Sequence, residues 1–190
     1  MAKQRIIVGV IGSGSTSYPH LCKPLGDWLA KQGFDLVNGG GQGVMSEVAA
    51  AFADVENRKC QIIGILPASG PCQTADERKN YSTPTGYPND HVDLPIRTHL
   101  HLSGSSGKEL ASRNHIVVLT SDIVVALPGS EGTRSEIQLA IEYGKPLIIV
   151  NPDGKWNSFQ SAQTAEIVMV KTIEEAISLL GKFKGTSKTG

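Results

Sequence analysis

Six short apolar runs recur along the chain, at residues 5–11, 34–38, 60–66, 122–127, 147–150 and 167–170. They are rich in β-branched residues and show no polar alternation, as in Arg5-Ile6-Ile7-Val8-Gly9-Val10-Ile11, so each predicts a strand covered on both faces. Between the runs, apolar positions fall at helical spacing. Leu21, Leu25, Trp28 and Leu29 predict a helix over 18–32, stopped by Gly33 and made irregular in its first turn by Pro24. Val44, Val48, Ala49 and Phe52 predict a helix starting near Gly43. Further helices are predicted over 108–119, carrying Arg113, and over 133–143, closed by Gly144. Thr172 is a good N-cap, with Glu174 and Glu175 in the first turn of a last helix ending near Leu180.

Strand and helix in alternation predict one Rossmann-like α/β domain over residues 1–181: a doubly wound, mainly parallel sheet with helices on both faces. Residues 182–190 are expected to form a frayed tail. Residues 67–106 break the rhythm with Pro, Gly, Ser, Thr and Asn, and weak alternation over 91–102 adds one or two short strands. A segment this long is expected to cover a pocket or a subunit interface.

Three strand-to-helix turns are rich in small residues: Gly12-Ser13-Gly14, Gly39-Gly40-Gly41-Gln42-Gly43-Val44-Met45, and Pro128-Gly129-Ser130-Glu131-Gly132-Thr133. Glycines there let backbone N–H groups approach a ligand, and the helix behind each turn presents unpaired donors and its positive dipole end. Two such corners at one sheet edge predict a pocket for a phosphorylated small molecule. The plainer alternative is that these glycines serve only tight strand–helix packing. Glu136 has a plain role too, as an early-helix acid complementing the dipole, and His115 reads as a structural histidine.

Composition narrows the partners. Lys and Arg number 18, as do Asp and Glu, so no net field recruits nucleic acid. Cys22, Cys60 and Cys72 lack metal-ligand spacing, and His91, His99 and His101 lack an acidic or thiol partner, so no metal is expected. No apolar run approaches the ~20 residues that span a bilayer. A cytoplasmic protein without membrane or nucleic-acid partners is expected. Pyridoxal phosphate chemistry has no lysine in a suitable context.

In sequence order, Gly12-Ser13, Leu25 to Gly33, Gly39 to Met45, Ile63-Gly64-Ile65-Leu66-Pro67, Ser112-Arg113-Asn114, Ser121-Asp122 and Pro128 to Glu136 resemble the signature of the Lonely Guy/molybdenum-cofactor-carrier superfamily. The likeness covers about residues 6–150 and implies a homodimer or homotetramer with a nucleotide-like phosphate pocket. Its ligand residues would be Gly12, Ser13, Gly39, Gly40, Gly41, Gly43, Val44, Met45, Gly129, Ser130, Glu131, Gly132 and Thr133. In the hydrolase branch the arginine matching Arg113 and the glutamate matching Glu136 serve cleavage of the N-glycosidic bond of nucleoside 5'-monophosphates, which needs no cofactor. That branch carries lysine where this chain has Asn114 and glutamate where it has Ser135, whereas Pro128 is typical of it. The activity expected is therefore phosphoribohydrolysis, releasing free base and ribose 5-phosphate. The alternative is a non-catalytic carrier holding the molybdenum cofactor by its pterin phosphate in the same loops.

Overall fold

The computed structural model describes residues 5–186 except 163 and 165. Along the chain run β1 (Ile7–Ile11), α1 (Pro19–Gln32), β2 (Asp35–Asn38), α2 (Val44–Ala53), β3 (Ile62–Leu66), α3 (Ala75–Asn80) and β4 (Leu94–Arg97). They are followed by α4 (Asn114–Thr120), β5 (Ile123–Ala126), α5 (Glu131–Glu142), β6 (Leu147–Val150), β7 (Ile167–Val170) and α6 (Ile173–Thr186). The seven strands form one sheet in the order β4-β3-β2-β1-β5-β6-β7, and every pairing is parallel. This is the Rossmann-like doubly wound architecture expected from the alternation of runs.

Strand alternation explains why the runs are apolar throughout. Val8 and Val10 point into a core shared with α1, α2 and α6, while Ile11, Val37, Val124 and Ala126 pack in a second core with α4 and α5. With helices on both faces, neither side of a strand can be polar without a desolvation cost. β1 lies centrally, with Val8 opposite Leu36 of β2 on one side and Ile123 of β5 on the other. The chain winds outward in both directions from there. The carboxyl ends of β1, β2 and β5 therefore meet at the switch point, where such sheets bind ligands.

Several boundaries differ from the sequence reading. The helix expected over 108–119 begins only at Asn114, so Arg113 is its N-cap residue. The residues before it form a 3₁₀ turn, Gly104–Ser106, and an isolated parallel bridge between Leu102 and Ser112. α3 lies in the segment read as irregular; it buries nothing, and its capping box between Thr74 and Glu77 stands in for an apolar stripe. The weak alternation over 91–102 yields one strand, the sheet-edge β4. α6 continues past Leu180 to Thr186, and of the tail expected from 182 onward, residues 187–190 lie outside the described residues. Among the described residues no helix is long and apolar enough to cross a membrane.

Candidate functional site

Two helices start at the switch point without help from side chains. α2 follows Gly43 and α5 follows Ser130, and neither N-cap residue supplies a side-chain hydrogen bond to its helix. Each helix thus presents first-turn N–H groups that no side chain caps. Ser13 ties the two corners together: its N–H donates to the Pro128 carbonyl at 3.1 Å, and its carbonyl accepts from Val44 N–H at 2.8 Å. Gly43 is required at this junction, because its φ is +67° and a Cβ there would lie 2.4 Å from the Ser13 carbonyl oxygen.

A cavity of about 180 Å³ opens between these corners, with Gly12, Gly39, Met45, Arg113, Ser130, Gly132, Thr133 and Glu136 in its wall. Arg113 and Glu136 face each other across it, Nη1 to Oε1 at 3.8 Å, with only 6% and 8% of their surfaces exposed. That separation is an ion-pair distance, too long for a hydrogen bond. Burial pushes the Glu136 carboxyl up to about 7, against the opposing pull of the Arg113 charge. Arg113 packs flat against the second turn, since a Cβ on Gly39 would lie 2.1 Å from Nη2. Its Nη1 donates to Asn114 Oδ1 at 3.0 Å. Arg113 Nε and Thr133 Oγ1, both in wall residues, are buried without a partner among the described residues. Buried donors of this kind cost free energy until something accepts from them.

The profile of one protein family matches residues 5–177, nearly the whole described chain. The chain belongs to the SLOG cluster4 family. A relative from Archaeoglobus fulgidus, an uncharacterised protein, is 28% identical over 147 residues, spanning 76% of this chain and 80% of that one. The molybdenum cofactor binding protein of the phototrophic bacterium Rippkaea orientalis superposes with a TM-score of 0.72 at 28% identity, covering 96% of this chain and 99% of its own. A Moco carrier protein from Chlamydomonas reinhardtii gives 0.70 at 25% identity, with the same coverage. The superfamily resemblance seen in the motifs is thereby established.

Within this SLOG cluster4 chain the residues singled out from sequence divide into three groups. Gly12, Gly39, Met45, Arg113, Ser130, Gly132, Thr133 and Glu136 form the cavity wall. Ser13, Gly40, Gly41, Gly43, Val44 and Gly129 frame the corners behind it; Gly40 N–H, for example, donates to Asn38 Oδ1 at 2.8 Å. Glu131 is exposed and pairs with Arg134 at 3.6 Å. The wall also contains Tyr87, Ser103 and Gly104 from the long irregular segment, and Asn114. No local motif marks the first three. They reach the cavity because Ser135 Oγ lies 2.9 Å from the Gly104 carbonyl, and because Asn89 donates to the Gly40 and Gly41 carbonyls, from N–H and Nδ2, each at 2.8 Å. His115 lies behind the site. Its Nε2 sits 3.1 and 3.0 Å from the carbonyl oxygens of Lys108 and Glu109, which can only accept, so Nε2 carries the proton and Nδ1 accepts from the Tyr143 hydroxyl at 2.6 Å.

Proposed function

We propose that this protein binds a phosphorylated pterin of the molybdenum cofactor type and carries it without cleaving it, holding the phosphate between the starts of α2 and α5. The observation that carries this reading is the pair of unspent buried donors, Arg113 Nε and Thr133 Oγ1, in wall residues of a cavity bordered by two helix N-termini without side-chain caps. Helix dipoles and backbone N–H groups hold a phosphate without any lysine, and Arg113 adds the single cationic side chain of the wall among the described residues. The cofactor-binding proteins of similar structure support the choice of ligand.

The hydrolase reading of the same site is weaker on two residues. Where the hydrolase branch has lysine and glutamate, Asn114 accepts from Arg113 and Ser135 is occupied with the carbonyls of Gly104 and Glu131, at 2.9 and 3.0 Å. Both are used for holding the wall. Among the described residues Glu136 is the one carboxyl in the wall able to stabilise an oxocarbenium-like charge. The two readings separate in one experiment. Equilibrium dialysis against the extracted cofactor is expected to give saturable binding, about one per chain, competed by inorganic phosphate. Incubation with AMP is expected to release no adenine. Adenine release that Glu136→Gln lowers by roughly two to three powers of ten would overturn the carrier reading in favour of the hydrolase.

A further inference from the structure

The cavity wall contains one aromatic ring among the described residues, Tyr87, and it comes from the segment farthest in character from any binding motif. Its position is built from both sides. Gln42 Nε2 donates to the Gly86 carbonyl at 3.1 Å just before it, and just after it Asn89 donates twice, to the carbonyls of Gly40 and Gly41. The segment carrying Tyr87 is thus fastened to the same glycine turn that leads into α2. Gly41 completes the arrangement: a Cβ there would lie 2.7 Å from the Tyr87 ring, so only glycine lets the ring rest against the turn. Tyr87 is half-buried, and Val10, Ile11 and Met45 add apolar surface to the wall it shares.

We propose that Tyr87 is the specificity-determining residue of this site, supplying the face on which the planar heterocycle of a pterin or purine phosphate ester stacks. The proposal rests on the phosphate-binding reading above and adds what that reading leaves open, namely how the protein tells a ring-bearing phosphate from a bare one. The anion end is blind to the rest of the ligand, because backbone donors and a guanidinium recognise any phosphate. A fixed aromatic face next to it adds affinity only for ligands with a flat ring, through stacking and the exclusion of water. Because the ring is already held by the turn, little ordering accompanies binding.

The test measures binding of AMP, 6-hydroxymethylpterin phosphate and ribose 5-phosphate by calorimetry. Wild-type protein is expected to bind the better of the two heterocyclic esters at least about ten-fold more tightly than ribose 5-phosphate. Tyr87→Ala should remove that margin and leave ribose 5-phosphate affinity within about two-fold, while Tyr87→Phe keeps the margin. Gly41→Ala, which pushes the ring off the turn, should act like Tyr87→Ala, and the double variant should be no weaker than either single one. Equal binding of the heterocyclic esters by wild type and Tyr87→Ala overturns the role of Tyr87. Failure of all three esters to bind wild type overturns the phosphate site itself, and Tyr87 with it.

Discussion

Glu136 is where two opposing effects meet on a single side chain. Burial disfavours its charge, Arg113 favours it, and burial prevails, leaving a carboxyl that titrates near 7 instead of in the usual carboxylate range. The folded-state value is raised, so the associated stability is fully present below the ordinary glutamate range and is lost as pH rises from there through about 7. Glu136→Gln removes the titration. Its stability relative to wild type is therefore expected to improve between pH 5 and pH 8, by on the order of 2 kcal/mol, as read from urea unfolding at the two pH values. A variant that loses stability equally at both would show that the carboxylate is favourably paired. Ligand binding follows the same sign: wild type should lose affinity for a phosphate ester relative to Glu136→Gln as pH passes 7, because the anion then meets an ionised neighbour. The difference between the two proteins cancels the ligand's own ionisation.

Among the elements, the corner after β2 is the most exacting. Gly39 leaves just enough room for the Arg113 guanidinium, and a methyl group 2.1 Å from Nη2 forces the arginine out of the wall. Gly39→Ala is expected to cost about 1–3 kcal/mol of stability, the usual range for an overfilled site, and to reduce phosphate binding to the level of Arg113→Ala. Thermal melts and calorimetry together check this; unchanged binding would place Arg113 outside the anion site. The start of α5 makes a second demand. Ser135, one turn into the helix, spends its hydroxyl on the Gly104 and Glu131 carbonyls. Ser135→Ala should loosen the Gly104–Ser106 turn, raising hydrogen exchange there while the sheet amides stay protected. Equal exchange in both proteins would mean that the turn is held by other contacts.

For the whole molecule, the question is what the segment between β3 and α4 does once ligand is present. Tyr87, Ser103 and Gly104 already stand in the cavity wall. Ligand should therefore slow proteolytic cleavage within residues 67–106, and cleavage at equal rates with and without ligand would mark the segment as a passive insertion. Leu110 and Leu119 are 91% and 52% exposed, and the family resemblance implies an even-numbered assembly. Light scattering behind a sizing column is expected to give a homodimer or homotetramer; a monomer at micromolar concentration would count against it.

The sequence by itself determined the sheet, its parallel sense and the two glycine-rich strand-to-helix corners. The reason is that these features follow from local rules: unbroken β-branched runs need cover on both faces, and small residues between a run and an amphipathic stretch mark a strand-to-helix turn. Arg113, Glu136 and all thirteen residues expected to hold the ligand lie in or beside turns that short motifs reveal, whereas the late start of α4 was hidden because residues 108–113 keep helical-looking spacing without forming the helix. Only the tertiary structure decided which residues share a wall. Arg113 meets Glu136 and Gly39, and Tyr87 meets Gly41, across separations in sequence that no periodicity reports. The pull of burial on Glu136 arises there too, since a carboxyl keeps its ordinary titration range until its neighbours exclude water.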